Sequence, residues 1–201
     1  MPEVSVIIPN YNHAKFLVQR IESVLNQTYQ NFELIILDDC SDDNSQQVIL
    51  SYKNHPKISH TVFNEINSGG PFYQWERGIN LAIGKYVWIA ESDDWCEPSL
   101  LQELVDGIKK DSQCVISYCQ MSCIINDNDI KWQSYHNYLS EVVESKTFIE
   151  KYLAVHVSIY NASMAIFKRS AFEFISSDFT SFKFSGDRLF WIQIAQHGKT
   201  H

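Results

Sequence analysis

Apolar runs of strand length alternate along the first half of the chain with stretches whose apolar positions recur every three or four residues. Residues 4–8 read as a buried strand stopped by Pro9, which cannot continue a central ladder. From His13, residues Phe16, Leu17, Ile21, Val24 and Leu25 fall at helical spacing, predicting a helix to about Thr28. The unit then repeats. Residues 32–37 form a second buried strand, the polar stretch from Asp38 to Ser45 breaks it, and a Ser or Asp there is placed to cap a helix running to Ser51. Residues 58–63 read as a third strand, 71–83 as a helix, and 85–90 as a fourth strand bounded by Gly84 and by acids. Strands and helices alternating in this way imply parallel pairing through right-handed crossovers. The class is therefore α/β, with a Rossmann-like, mostly parallel central sheet flanked by helices.

Past Pro98 the pattern loosens. A helix is expected over 100–108 and a strand over 114–121, then a polar, aromatic-rich stretch over 124–138 with a hairpin turn at Asn126-Asp127-Asn128-Asp129. A helix over 147–153, a strand over 162–167 and a helix over 170–175 follow, and Gly186-Asp187-Arg188 precedes an apolar helix over 189–196.

Composition narrows the function classes mainly by exclusion. With 201 residues, 45% hydrophobic and 20% charged, the chain suits one ordinary globular domain. A formal net charge of -8 argues against a nucleic-acid partner, whose phosphates call for clustered Lys and Arg. No apolar run approaches a membrane span, and Met1-Pro2-Glu3 lacks the start of a signal peptide, so a soluble cytoplasmic protein is the default expectation. The five cysteines show no Cys-Xaa-Xaa-Cys pair and read as reduced thiols.

Candidate chemistry gathers where the strands end. Glu91, Asp93 and Asp94 close the fourth strand, and such a cluster repels itself unless it is solvated or neutralised by a divalent cation with oxygen ligands. A solvated acidic turn before the helix near Pro98 is the bland alternative. Asn10-Tyr11-Asn12 and Asp38-Asp39 also end strands, and in a parallel sheet ligands bind at those carboxyl ends. Three loops far apart in sequence are thus expected to share one crevice.

The ordered motifs 4–12, Asp38-Asp39-Cys40-Ser41-Asp42-Asp43, 82–86 and Ser92-Asp93-Asp94 together resemble the family 2 glycosyltransferases, inverting enzymes with the nucleotide-sugar-binding glycosyltransferase-A fold. The likeness runs from Val4 to about His197 and is most similar to the spore-coat polysaccharide transferase type. It implies a uracil pocket made by Pro9, Tyr11 and Asp39, in which the carboxylate accepts the N–H of the base. It places Asn67, in the turn Asn67-Ser68-Gly69-Gly70, near the nucleotide, and Arg77 near the phosphates in place of the family's usual arginine. The family's Asp-Xaa-Asp motif falls on Glu91-Ser92-Asp93, leaving Asp93 and Asp94 to hold Mn²⁺ or Mg²⁺ against the diphosphate. Asp187 falls where the family keeps its catalytic base. For each there is a plainer structural role: helix cap for Asp39 (or Ser41 or Asp42) and for Asp187, ordinary turn for 67–70, surface salt bridge for Arg77.

What the resemblance implies as a whole is one domain over 1–201, with a nucleotide-sugar-binding half at 1–98 and an acceptor-side half at 99–201 that continues past His201. The donor is a UDP-sugar, with a dTDP-sugar as second choice, and the acceptor a saccharide or lipid-linked saccharide of a cell-surface polysaccharide. Peripheral association with the inner membrane face fits that role. Lone histidines at 156, 197 and 201 and aromatics Phe72, Trp75, Trp95 and Trp132 are further candidates for ligand contact. Two alternatives stand: a nucleotidyltransferase, which would show a glycine-rich basic loop where residues 10–15 have no glycine, and a non-catalytic nucleotide-sugar-binding subunit.

Overall fold

The computed structural model describes residues 1–125, 129–135 and 140–201, so the hairpin turn expected at 126–129 lies, but for Asp129, outside the described residues. The first half follows the expected alternation: β1 (Val4–Asn10), α1 (Ala14–Leu25), β2 (Phe32–Asp38), α2 (Ser45–Tyr52), β3 (Ile58–Phe63), α3 (Pro71–Leu81), β4 (Tyr86–Ile89) and α4 (Leu100–Lys109). Then come β5 (Cys114–Tyr118), an antiparallel pair β6 (Ser122–Ile125) and β7 (Asp129–Gln133), and α5 (Ser145–Thr147), which continues as a π-helical turn, Phe148–Leu153. A 3₁₀ turn, Ala162–Met164, leads into β8 (Ala165–Lys168) and α6 (Arg169–Phe172); a second, Ser177–Ser181, precedes α7 (Gly186–Ala195) and β9 (Lys199–Thr200).

Seven strands form one sheet in the order β3-β2-β1-β4-β8-β5-β9. The first four are parallel, β8 runs against both β4 and β5, and β9 is parallel to β5. Alternate residues of the parallel strands feed two apolar layers. Val6, Ile8, Leu34, Ile36 and Trp88 pack under α1 and α4, whereas Ile7, Ile35, Leu37, Val87 and Ile89 pack under α3 and α7. Burial on both faces is why these strands read as continuous apolar runs.

Several expectations need correction. β1 does not stop at Pro9 but pairs through Asn10. The carbonyls of Glu3 and Ile7 serve the β4 side, so odd positions of β1 face β4, and the N–H that Pro9 lacks falls beyond the last β4 residue, Ile89. The helix over 71–83 ends at Leu81, because Ala82 is already extended and Gly84 must lie against β1. A side chain at Gly84 would sit 2.6 Å from the Ser5 amide nitrogen. The segment 162–167 starts as a 3₁₀ turn, and β9 was not anticipated, since two residues are too few to show a period. The five cysteines are free thiols. Among the described residues no helix is long and apolar enough to cross a membrane.

Candidate active site

The loops that leave β1, β2 and β4 at their carboxyl ends are bonded to one another. Buried Asp38 accepts from Asn10 Nδ2 (2.8 Å), Ser41 N (3.0 Å) and Ser41 Oγ (2.6 Å). Asn12 in turn donates its amide to Ser41 Oγ and accepts the Asp42 amide on Oδ1, each at 2.9 Å. Asn12 and Cys40 both take left-handed backbone, with φ of 57° and 62°, a conformation non-glycine residues adopt mainly where tight loops require it. His13 Nδ1 meets Ser92 Oγ at 2.8 Å, tying the β1 loop to the acidic turn after β4. The capping role expected of Asp39, Ser41 or Asp42 falls instead to Asp43, which accepts the amides of Ala14 (2.9 Å) and Ser45 (2.8 Å) at the starts of α1 and α2.

Asp39 is 4% exposed and organises the floor beside these loops. Its Oδ1 accepts from Asn64 Nδ2 (2.6 Å), Ser68 N (2.9 Å) and Gln74 Nε2 (2.8 Å), and its Oδ2 from Ser68 Oγ (2.8 Å). Asn67 Nδ2 donates to the Asp39 carbonyl at 2.9 Å, and Arg77 donates to Asn64 Oδ1, so both expected nucleotide residues join the Asp39 network. Arg77 makes no ion pair among the described residues. Oδ2 of Asp39 keeps room for another donor. Two further buried acceptors, Asn10 Oδ1 and Gln74 Oε1, have no donor among the described residues, an arrangement that calls for a partner from outside the chain. Tyr11 stands 48% exposed in the β1 loop after Pro9, its ring available to a ligand.

In the acidic turn the three carboxylates have different fates. Glu91 accepts the Trp75 indole N–H at 2.7 Å; burial, reinforced by Asp94 and Asp93, pushes its carboxyl up to about 8. It is therefore harder to ionise than an ordinary glutamate and is aimed at a tryptophan. Asp94 Oδ2 accepts from Asn161 Nδ2 (2.7 Å) and Ser163 Oγ (2.6 Å) and lies 3.7 Å from Arg20 Nη2. Asp93 is exposed, and its carboxylate makes no hydrogen bond or ion pair among the described residues.

These donors fit a divalent cation completed by its substrate. No group of three or more candidate ligands occurs among the described residues. Mg²⁺ and similar ions, however, commonly take one or two carboxylates plus substrate phosphates and water rather than an all-protein cage. Asp93 and the second oxygen of Asp94 supply that number.

Arg20 was missed in the sequence. Fully buried in α1, it donates Nε to the Glu91 carbonyl (2.7 Å) and Nη2 to Ser163 Oγ (2.7 Å), with its guanidinium 5.7 Å from the Trp88 ring centre. The signal was available: position 20 lies on the same helical face as Leu17, Ile21 and Val24, where a charge needs a partner.

Asp187 occupies the first turn of α7, half-buried, and does not cap it. The cap residue is Ser185, in left-handed backbone at φ 61°, and no side-chain cap bond is made. Packing, together with the bonds from Arg188 Nη2 to the carbonyls of Leu153 and Ala154, links this turn to the rest. Gly186 lies against Phe72 so closely that a Cβ would meet its ring at 2.6 Å, and Phe190 packs 5.5 Å from Trp75, the partner of Glu91. Phe72 and Trp75 are thus core residues, while Trp95 is 46% exposed beside Asp93 and Asp94.

Comparison with known proteins agrees with this architecture. The chain is 36% identical over 114 residues to the glycosyltransferase GlyG of Streptococcus pneumoniae serotype 4, covering 56% of this chain and 38% of GlyG. It is 32% identical over 126 residues to TuaG of Bacillus subtilis strain 168, a glycosyltransferase named for teichuronic acid biosynthesis, covering 63% and 49%. The chain thus spans between about two fifths and half the length of these relatives. Its fold matches residues 1–349 of S. aureus TarS with a TM-score of 0.74 at 22% identity, over 100% of this chain and 58% of that one; TarS structures with UDP and with UDP-GlcNAc match similarly. The glycosyltransferase-A architecture expected from the motifs is the one observed. The family model for glycosyl transferase family 2 matches residues 5–175, most of the chain though short of Asp187, and the chain belongs to that family.

Proposed function

We propose that this chain transfers a sugar from a UDP-sugar to an acceptor hydroxyl with inversion, in the assembly of a cell-surface polysaccharide. The observation that bears most weight is the bonded convergence of the β1, β2 and β4 loops around Asp39 and the Glu91–Asp94 turn, with unpaired buried acceptors at Asn10 and Gln74. Asp39 Oδ2 suits the single N3–H of uracil, and Tyr11 suits the face of its ring. The polysaccharide role is supported by the name of TuaG and the nucleotide by the UDP complexes of TarS.

Asp93 and the free oxygen of Asp94 would hold Mn²⁺ or Mg²⁺, which when bound supplies Lewis-acid stabilisation of the leaving diphosphate. Arg20, Asn161 and Ser163 fix Asp94 for that task. Asp187 accepts the acceptor hydroxyl's proton as its oxygen attacks the anomeric carbon; the bond from that carbon to the diphosphate breaks, and its electron pair departs with UDP. Attack and departure on opposite faces give inversion.

Calorimetric titration of UDP with and without Mn²⁺, followed by turnover assays on a panel of UDP-sugars, tests the reading. UDP binding should depend on the metal. Asp187→Asn should bind UDP as the parent does yet lose about 10²- to 10⁴-fold in kcat, the usual worth of a general base. Metal-independent binding, or an Asp187→Asn enzyme of normal activity, would refute the assignment.

A further inference from the structure

We infer that a cavity of about 360 Å³ between the end of β5 and the segments carrying Tyr152 and Tyr160 receives the acceptor, and that the acceptor is an anionic saccharide carrying carboxylate or phosphate. The inference rests on the transferase reading above and adds to it the site and charge class of the second substrate.

The cavity opens on the rim where the parallel strands finish. β5 runs in the direction of β4 because each is antiparallel to β8, so its end at Tyr118 comes to that rim. The Cys119 amide donates to the Met164 carbonyl at 2.9 Å, closing the rear wall. On one side stand Tyr160 and Met164, which flank the Asn161 and Ser163 that bond Asp94. On the other, Tyr152 and His156 bracket Leu153 and Ala154, whose carbonyls accept Arg188 Nη2 at 3.1 and 2.6 Å. Arg188 adjoins Asp187. The lining residues thus neighbour, along the chain, the anchors of Asp94 on one side and the carbonyls that accept Arg188 on the other.

Its lining has the chemistry of a sugar site. Tyr118, Tyr135, Tyr152 and Tyr160 contribute aromatic surface with hydroxyl groups, a combination that stacks on the apolar face of a pyranose and bonds its hydroxyls. Tyr135 is 81% exposed and Tyr160 46%, the latter held edge-on by Trp132 at 5.0 Å. The charge is distinctive in a chain of net charge -8: Lys151 and His156 line the cavity, and among the described residues no Asp or Glu does. Glu141, which accepts the Tyr152 hydroxyl at 3.2 Å, lines the adjoining cavity beside α4, which shares Tyr118, Cys119 and Gln120 with this one. Lys151 in a lining without carboxylates favours an anion in an otherwise acidic protein.

Tryptophan fluorescence and saturation-transfer NMR, recorded without donor, can read binding of three probes: a uronate-containing tetrasaccharide, the same tetrasaccharide with its carboxyls reduced, and a hexose phosphate. The first or third should bind and the reduced probe bind at least about tenfold more weakly, the worth of one favourable charge contact. Which anion binds better distinguishes a uronate from a phosphate acceptor. Tyr160→Ala and Lys151→Ala should each weaken binding about three- to tenfold while leaving UDP affinity unchanged. Failure of all three probes at millimolar concentration, equal binding of the reduced probe, or parental binding by both variants would overturn the inference. Because no donor is present, a failed UDP titration would refute the transferase reading separately.

Discussion

Arg20 shows what one buried charge does for the site it supports. Its guanidinium spans the Glu91 carbonyl, Ser163 and Asp94, so the acidic turn is held from beneath by a cation that burial has stripped of water. Burial holds its pKa below the ordinary value while Cys96, Asp94 and Glu91 pull it back. A lysine carries its three donors on one nitrogen and lacks the planar fork that reaches all three acceptors. Arg20→Lys should therefore lower unfolding free energy by about 2 kcal/mol in a denaturant titration, since it leaves buried acceptors unpaired. Metal-dependent UDP affinity should fall with it. At this scale the acids at strand ends were legible, because a carboxylate after an apolar run stands out in any reading. Arg20 was not, because the helix was recognised by its apolar positions and the charge lying among them was passed over.

At the scale of elements, one carboxylate couples two helices. Asp43 caps α1 through Ala14 and α2 through Ser45. Burial pushes its carboxyl up, but the Ser45 and Ala14 donors outweigh burial and hold it below the ordinary aspartate value of 3.8. Asp43→Ala should cost about 1–2 kcal/mol, the range for losing a helix cap. The sign with pH follows from the depressed value: the folded carboxyl resists protonation, so its contribution is complete above the unfolded pKa and fades as pH falls through the folded one. Parent and variant should converge in stability well below pH 3.8 and differ fully at neutrality. Element existence in the first half was readable because strands buried on both faces leave unbroken apolar runs. Direction was not: nothing in 162–167 says that β8 is antiparallel, and the π-helical turn at Phe148–Leu153 has no pattern distinct from an α-helix.

For the molecule as a whole, the acidic balance makes a nucleoside diphosphate an unwelcome ligand without a cation. The net charge of -8 and exposed Asp93 repel phosphate through a field that salt screens over about 8–10 Å. In EDTA, residual UDP affinity should therefore rise between 20 mM and 300 mM NaCl, the reverse of the dependence seen when lysines and arginines bind phosphate. A flat or falling affinity would show that local cations such as Arg77 govern the approach. The meeting of the β1, β2 and β4 loops was legible at this scale, since three acidic or polar strand ends in a parallel sheet must meet along one edge. The π-turn, the 3₁₀ entry to β8 and the aromatic cavity between them were not, because they depend on pairing between residues far apart in the chain.

The reversed strand β8 divides labour along that edge. Because it runs against β4, the stretch before it delivers Asn161 and Ser163 to Asp94 from outside the repeating strand–helix units that build the floor. The stretch before β8 can therefore drift in length and lining while the loops after β1, β2 and β4 stay fixed, provided the two anchoring side chains arrive in place. A scaffold wired in this manner permits new partners to be tried on one flank without retooling the other.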